Sequence, residues 1–154
     1  MKEYPWGKGT PKWTRDATLN DSDKSFTVPT GKVWLVRSVT ATIVCTATVG
    51  NRILEARITD GADIVAIGPR SGAIAASQKG TYQWMEGGLS TSTSGDLASL
   101  VDGTTVNVVR AVATIPSGGY IIPAGYVVQV SDVAAVDAAA DDLIVVLHYV
   151  EYDA

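Results

Sequence analysis

The sequence has little of the chemistry that most catalytic and metal sites require. Its 154 residues include one cysteine and one histidine. A single cysteine excludes an intrachain disulfide, and one histidine with one cysteine cannot supply the usual ligands of a zinc site. No nucleophile motif of the Gly-x-Ser-x-Gly kind occurs. The sequence therefore predicts a protein that is not an enzyme and that uses no metal and no cofactor.

Long apolar runs are missing as well. No segment is long enough to span a membrane, and the first ten residues, MKEYPWGKGT, lack the apolar core of a signal peptide. We therefore expect no membrane partner, no Sec-type export, and synthesis in a cytosol-like compartment.

Lysine and arginine are absent after Arg110, so the charge of the chain is uneven. Residues 1–15 carry four basic residues against Glu3, whereas the formal net charge of the whole chain is −4. A folded body of this kind offers no cationic face for phosphates, and nucleic acid is not an expected partner. The acidic residues near the end of the chain are Asp132, Asp137, Asp141, Asp142, Glu151 and Asp153.

The residues that are present favour strands. Hydrophobic residues make up 46% of the chain and charged ones 18%, with valine, alanine, isoleucine and threonine prominent. Residues 39–49 alternate between aliphatic and mostly threonine positions, which predicts a strand with one buried face and Cys45 as a small buried hydrophobe. Because the same register would bury Arg37, we expect a bulge or bend near Arg37 and Ser38.

Turn signals divide the rest of the chain. The segments VPTGKVWLV (28–36) and IPAGYVVQV (122–130) share an x-Pro-x-Gly start. They are either two equivalent corners of one β architecture or two instances of the turn chemistry that strand starts have in common. Gly50-Asn51 predicts a two-residue hairpin, residues 60–63 predict a turn, and residues 87–103 predict a surface loop. About eight strands follow from this pattern. They predict an all-β, antiparallel, two-sheet β-sandwich of the jelly-roll type over residues 26–154, preceded by an extended arm, residues 1–25.

Two features invite a chemical interpretation. His148 shares a predicted strand face with Ile144, Val146 and Val150, which favours a partly buried structural histidine over a general base. The segment SDVAAVDAAADD (131–142) could attract a hard cation, but its spacing matches no EF-hand loop. A solvated acidic loop is the favoured interpretation, and whether it binds a cation stays open.

The predicted arm holds aromatic residues that an isolated arm would expose to water. Such residues typically dominate protein interfaces, and we expect them to pack on this domain or on a neighbouring subunit. The candidate contact residues are Tyr4, Trp6, Trp13, Lys8, Lys12 and Arg15.

Five segments together form a recognisable pattern. They are SFTVPTGKVWLVRSV, TVGNRILEARITDG, TYQW, IIPAGYVVQVSD and DDLIVVLHYVEY. Across about residues 25–152 the sequence resembles small tailed-bacteriophage virion structural proteins, capsid decoration or cement proteins with jelly-roll folds. The resemblance implies a partner, the major capsid protein, and a location on the capsid surface of the virion after synthesis in the host cytoplasm. A homo-oligomer is expected, with a trimer favoured over a dimer.

A carbohydrate- or receptor-binding module of a phage fibre or tail is the alternative, because jelly rolls host many lectins and a fold does not settle a function. Its site would use Trp84, Tyr82 or Tyr120. Loss of capsid binding after removal of the arm would favour the first hypothesis, and hits on a glycan array would favour the second.

Overall fold

The described part of the chain is built from strands alone. The computed structural model describes residues 7–20, 23–68, 70–86, 96–102, 105–115, 119–134, 136 and 140–154, and in these ranges it contains eleven strands and no helix. The strands are β1 (Thr10–Asp16), β2 (Lys24–Thr27), β3 (Lys32–Val44), β4 (Leu54–Thr59), β5 (Ile64–Ile67), β6 (Lys79–Glu86), β7 (Asp96–Asp102), β8 (Thr105–Ile115), β9 (Tyr120–Ile122), β10 (Val127–Asp132) and β11 (Asp142–Asp153).

The strands form two sheets that pack face to face, which confirms the predicted β-sandwich. The large sheet has the order β1-β11-β3-β6-β8-β7, and β9 pairs with β3 beside β6. The small sheet has the order β2-β10-β4-β5. The described strand pairs are antiparallel except for β6 and β8, which are parallel. A jelly-roll connectivity stays a prediction.

A bulge at Arg37 allows both halves of the long strand β3 to direct side chains into the core. Ser38 lies opposite His148 and Val36 lies opposite Tyr149, so Arg37 is an extra residue without a counterpart on β11. The inward positions therefore change from even to odd numbers along the strand, and Val36 and Val39 are both buried. The bend predicted near Arg37 and Ser38 is confirmed.

The loop after β3 does not form the predicted hairpin. The alternation of buried residues continues to Cys45, which is buried as predicted, but β3 ends at Val44 and Val49 is 90% exposed. Since β3 belongs to the large sheet and β4 to the small one, residues 45–53 cross between the sheets. The hairpin prediction at Gly50-Asn51 is wrong because local turn chemistry does not specify which sheet the next strand joins.

The predicted arm is in part a strand of the sandwich. Residues 10–16 form β1, which pairs with β11 from Thr10 opposite Glu151 to Asp16 opposite Val145. The predicted boundary between residues 25 and 26 falls inside β2. Sequence periodicity misses β1 because most of its side chains are exposed on both faces of the sheet.

The predicted surface loop also contains a strand. Asp96–Asp102 forms β7 at the edge of the large sheet, so the loop prediction is wrong there. Its first half, residues 87–95, lies outside the described residues. By contrast, the predicted turn at residues 60–63 is confirmed, since the Asp60 carboxylate accepts hydrogen bonds from the backbone of Ala62 and Asp63.

The hydrophobic core lies between the sheets and has a small second part on the other face of the large sheet. Trp84, Ile43 and Leu147 are among the largest fully buried side chains of the main core. The second cluster consists of Val33, Leu35 and Tyr152, with Val150 packed against it. Gly9 approaches this cluster closely: a Cβ on Gly9 would overlap side-chain atoms of both Tyr152 and Val150. The chain just before β1 therefore covers the second cluster.

Candidate contact surface on strand β1

Strand β1 presents an aromatic side chain to solvent at the edge of the large sheet. Trp13 lies opposite His148 in the pairing of β1 with β11 and is 66% exposed. Both residues are on the face that points away from the small sheet, since the buried residues of β11 alternate with His148. Arg15 lies two residues after Trp13, so it is on the same face, and it is exposed. We call Trp13 and Arg15 the β1 surface.

The six candidate contact residues have different environments. Lys8 is exposed and precedes the strand. Lys12 lies on the opposite face from Trp13, and its ammonium donates to Glu151 Oε1 at 2.6 Å. Tyr4 and Trp6 lie outside the described residues. The structure therefore brings together Trp13 and Arg15, while the charge of Lys12 is already engaged within the chain.

Glu151 joins β1 to the core. Its Oε1 accepts from Lys12 and its Oε2 accepts from the indole nitrogen of Trp34 at 2.9 Å. The indole of Trp34 in turn packs against Tyr149, with ring centroids 4.1 Å apart. The hydrogen bond from Lys12 lowers the pKa of Glu151 below its ordinary value of 4.5, against the opposing effect of burial and with help from Trp34.

The Glu151 contacts should make the attachment of β1 dependent on pH. A carboxyl group with a lowered pKa stabilises the fold above its unfolded-state pKa, and this stabilisation is lost as the pH falls through the folded-state value. We expect Glu151→Gln to lower the free energy of unfolding at neutral pH by about 1 kcal/mol. The difference between the variant and the wild type should disappear in acid. Urea unfolding of both proteins across the acidic range measures it, and a difference that persists in acid would contradict this assignment.

His148 is not part of the core. The inward face of β11 carries Leu143, Val145, Leu147 and Tyr149, whereas His148 is exposed. The prediction of a partly buried structural histidine is therefore wrong. It assigned the wrong face of β11 to the core, because Ile144 and Val146 on the outer face are as apolar as the residues of the inner face.

The aromatic residues suggested for carbohydrate binding are mostly buried. Tyr82 is 5% exposed and Trp84 is 1% exposed, and their ring centroids are 5.0 Å apart between the sheets. The Tyr82 hydroxyl donates to the carbonyl of Arg70 at 3.2 Å. Neither ring offers a face on which a sugar could stack. Of the three residues only Tyr120, which is half-buried, has surface available.

The acidic segment near residue 132 supports the fold. Asp132 Oδ1 accepts from the backbone N–H groups of Ile53 at 2.9 Å and Ala134 at 3.0 Å, and its buried Oδ2 has no hydrogen-bond partner among the described residues. Asp132 and Asp141 are buried, so the prediction of a solvated loop is wrong for both, and Asp137 lies outside the described residues. Within the ranges that the structure describes, no three His, Cys, Asp or Glu side chains lie close enough to hold a metal ion.

A buried ion pair fixes the segment that crosses between the sheets. The guanidinium of Arg52 contacts both carboxylate oxygens of Asp141, with Nε at 2.6 Å and Nη2 at 3.1 Å, and both side chains are 0% exposed. Arg52 Nη1 also donates to the carbonyls of Thr48 and Gly50, each at 2.8 Å. Asp141 further accepts from the backbone of Thr46. The pair thus holds residues 46–52 against the start of β11.

Lys24 similarly fixes the segment between β1 and β2. It is 1% exposed, and its ammonium donates to the carbonyl of Thr18 at 2.9 Å and to Asn20 Oδ1 at 2.7 Å. Asp16 lies 3.7 Å away. Sequence reasoning missed the burial of Arg52, Asp141 and Lys24 because a charged residue in or beside a strand carries no local signal that it is buried. Only the position of its distant partner would reveal it.

Comparison with known proteins adds no relative from which a role could be transferred. No family model, curated protein or solved structure matches the chain. No helix in the described ranges has the length and apolarity needed to cross a membrane. The sequence resemblance and the β1 surface are therefore the two observations that bear on function.

Proposed function

We propose that the chain is a non-enzymatic structural protein of a tailed-phage virion: a capsid decoration or cement protein that binds the outer surface of the major capsid protein. Two things support the proposal. Across about residues 25–152 the sequence resembles small virion structural proteins, and the β-sandwich carries an exposed aromatic and cationic surface at one edge.

Trp13 is the observation that carries the proposal. An indole that is 66% exposed beside the cationic Arg15 has the composition of an interface anchor, because tryptophan and arginine are enriched among the residues that dominate binding energy. The strand that holds it is paired on one side only among the described strands. The β1 surface therefore contacts either the capsid or a neighbouring copy in the decorated shell.

Repetition of a modest contact over a shell raises the apparent affinity of each copy. If each copy engages more than one neighbour, the second contact forms at a high effective concentration, and the apparent affinity exceeds that of either contact alone. A rigid sandwich suits this role, since its paired strands hold the β1 surface in a fixed orientation.

Replacement of Trp13 tests the proposal directly. We expect Trp13→Ala to weaken binding to undecorated capsids by at least about tenfold, the effect of losing an interface anchor. The matched control is Leu19→Ala, which also truncates an exposed apolar side chain (69% exposed) outside the β1 surface. Cosedimentation with capsids measures occupancy. Equal occupancy for Trp13→Ala and the wild type would contradict the proposal.

Point substitution is a sharper test here than deletion of the N-terminal residues. A deletion through residue 20 would remove β1 and leave the edge of β11 unpaired, since all of Thr10–Asp16 pairs with that strand. Deletion of residues 1–6 alone leaves β1 intact and tests Tyr4 and Trp6 separately from Trp13.

A further inference from the structure

Lys24 is buried without a close counter-ion among the described residues. Its side chain is 1% exposed. The ammonium donates to the carbonyl of Thr18 at 2.9 Å and to Oδ1 of Asn20 at 2.7 Å, and Oδ1 of Asp16 is 3.7 Å away. The two hydrogen-bond acceptors are neutral, and Asp16 is beyond hydrogen-bond distance. A buried cation in such surroundings costs stability, and this cost disappears if its charge is removed.

The amide carbon of Asn20 lies within reach of this nitrogen. Cγ is one C=O bond, about 1.2 Å, from Oδ1, so the contact between Nζ and Oδ1 places Nζ within about 3.9 Å of Cγ. Two groups that a fold holds this close react at an effective concentration far above that of separate molecules. The neutral amine of lysine is a nucleophile that attacks carbonyl carbons. Asn20 is therefore a candidate acceptor for Lys24.

Asp16 supplies a proton acceptor at the same place. The hydrogen bond from the backbone of Thr18 lowers the pKa of Asp16, so its carboxylate is ionised at neutral pH. The side chain of Asp16 is 35% exposed and Asn20 is half-buried, whereas Lys24 is shielded from water. A proton and a small leaving group therefore have access to solvent, while the reacting nitrogen is held inside the protein.

We propose that Lys24 and Asn20 form an intramolecular isopeptide bond, with Asp16 as the proton acceptor. Asp16 takes a proton from the Lys24 ammonium, and the neutral Nζ attacks Cγ of Asn20. A bond forms between Nζ and Cγ, and the bond between Cγ and Nδ2 breaks as Nδ2 takes up a proton and leaves as ammonia. In total, one ammonium group and one primary amide give one secondary amide and one ammonium ion, and the carboxylate of Asp16 is restored. The step needs no oxidant and no co-reactant.

The product suits its surroundings better than a free lysine does. A secondary amide is uncharged, and its single N–H still has the carbonyl of Thr18 to donate to. The bond closes the connection between β1 in the large sheet and β2 in the small sheet. The backbone carbonyl of Asn20 also accepts a hydrogen bond from the N–H of Leu143 at 2.8 Å. The closed connection is therefore also held against the start of β11.

The first test is the mass of the purified full chain, kept folded at neutral pH until its mass is constant. We expect mass spectrometry to show a mass below that of the sequence by one ammonia molecule. Trypsin cleaves after lysine and arginine residues whose side chains are free. The digest should therefore contain residues 16–32 as a single peptide that lacks one ammonia. An unreduced mass, or complete cleavage after Lys24, would overturn the proposal.

The second test identifies the two bonded residues. Lys24→Arg keeps the cation but has no amine, and Asn20→Ala removes the amide carbon, so both variants should keep the full mass of their sequences. The matched control is Lys32→Arg, the same change at a lysine on the surface that pairs with Asp153; it should still lose one ammonia. If Lys24→Arg also loses ammonia, Asn20 has cyclised on the backbone instead, and the isopeptide bond is rejected.

The third test concerns the proton acceptor. We expect Asp16→Asn to slow the loss of ammonia at least about a hundredfold, the usual effect of losing a general base, when the mass of each chain is followed from synthesis. The matched control is Asp23→Asn, which removes a carboxylate that pairs with Arg57 and should react at the wild-type rate. An unchanged rate for Asp16→Asn would reject the assigned mechanism. None of these variants alters Trp13 or Arg15, so bond formation and capsid binding succeed or fail separately.

Discussion

Asp141→Asn should lower the free energy of unfolding by about 3–5 kcal/mol, because it leaves the buried guanidinium of Arg52 without a counter-charge. Both side chains are 0% exposed, and Arg52 contacts both oxygens of Asp141. Asparagine keeps the size of the side chain and one acceptor, so the loss measures the charge and not a cavity. Denaturant unfolding of the variant and the wild type at neutral pH gives the difference.

Two comparisons show whether the effect belongs to the pair. Asp153→Asn removes one charge of the ion pair between Lys32 and Asp153, which is on the surface, where Asp153 is 87% exposed; we expect no measurable loss there. The double variant Arg52→Met with Asp141→Leu should be more stable than the sum of the two single losses predicts, since no buried charge remains unpaired. If Asp141→Asn is as mild as Asp153→Asn, the pair does not hold the crossing segment.

Trp84→Ala should lower the free energy of unfolding by a similar amount, about 3–5 kcal/mol. Trp84 is 1% exposed and packs against Tyr82 between the sheets. Its truncation removes the largest fully buried side chain among the described residues and leaves a void that the β-strands on either side cannot close. Thermal or denaturant unfolding measures the loss, and Trp84→Phe should lose less because it fills part of the void.

The matched control lies on the same strand. Gln83 is the neighbour of Trp84 on the opposite face of β6, and Gln83→Ala should change stability by less than about 0.5 kcal/mol. A mild effect of Trp84→Ala would contradict the position of the indole between the sheets. The result also guides any carbohydrate-binding assay: lost binding in Trp84→Ala would report unfolding, so Tyr120 is the residue on which to test a sugar contact.

The parts of the fold that the sequence predicts are those with a local signal. The strand through Val39, Ala41 and Ile43 is readable because aliphatic and threonine residues alternate, and each buried position has a polar neighbour on the wet face. The bulge at Arg37 is predictable for the same reason. The alternation would place the charge of Arg37 on the buried face, and a change of register avoids this. The turn at Asp60 is readable because aspartate and glycine have a specific role in turns.

The parts that the sequence does not predict depend on distant partners. β1 is a strand only because the edge of β11 is available to it, more than a hundred residues later. Arg52 and Asp141 are separated by 89 positions, and neither residue carries a pattern that indicates burial. The destination of β4 is likewise set by its pairing with β10 and not by the turn that precedes it. Local patterns identify strands, but they do not identify the neighbours that decide where those strands lie.

The pairing of β1 with β11 sets the order in which the large sheet can be completed during synthesis. The ribosome makes residues 10–16 early, but their described partner strand ends at Asp153. Trp13 therefore stays outside the sheet until its partner on β11, His148, has left the ribosome. A contact that needs an ordered β1 therefore cannot form between chains in which β11 has not yet been made.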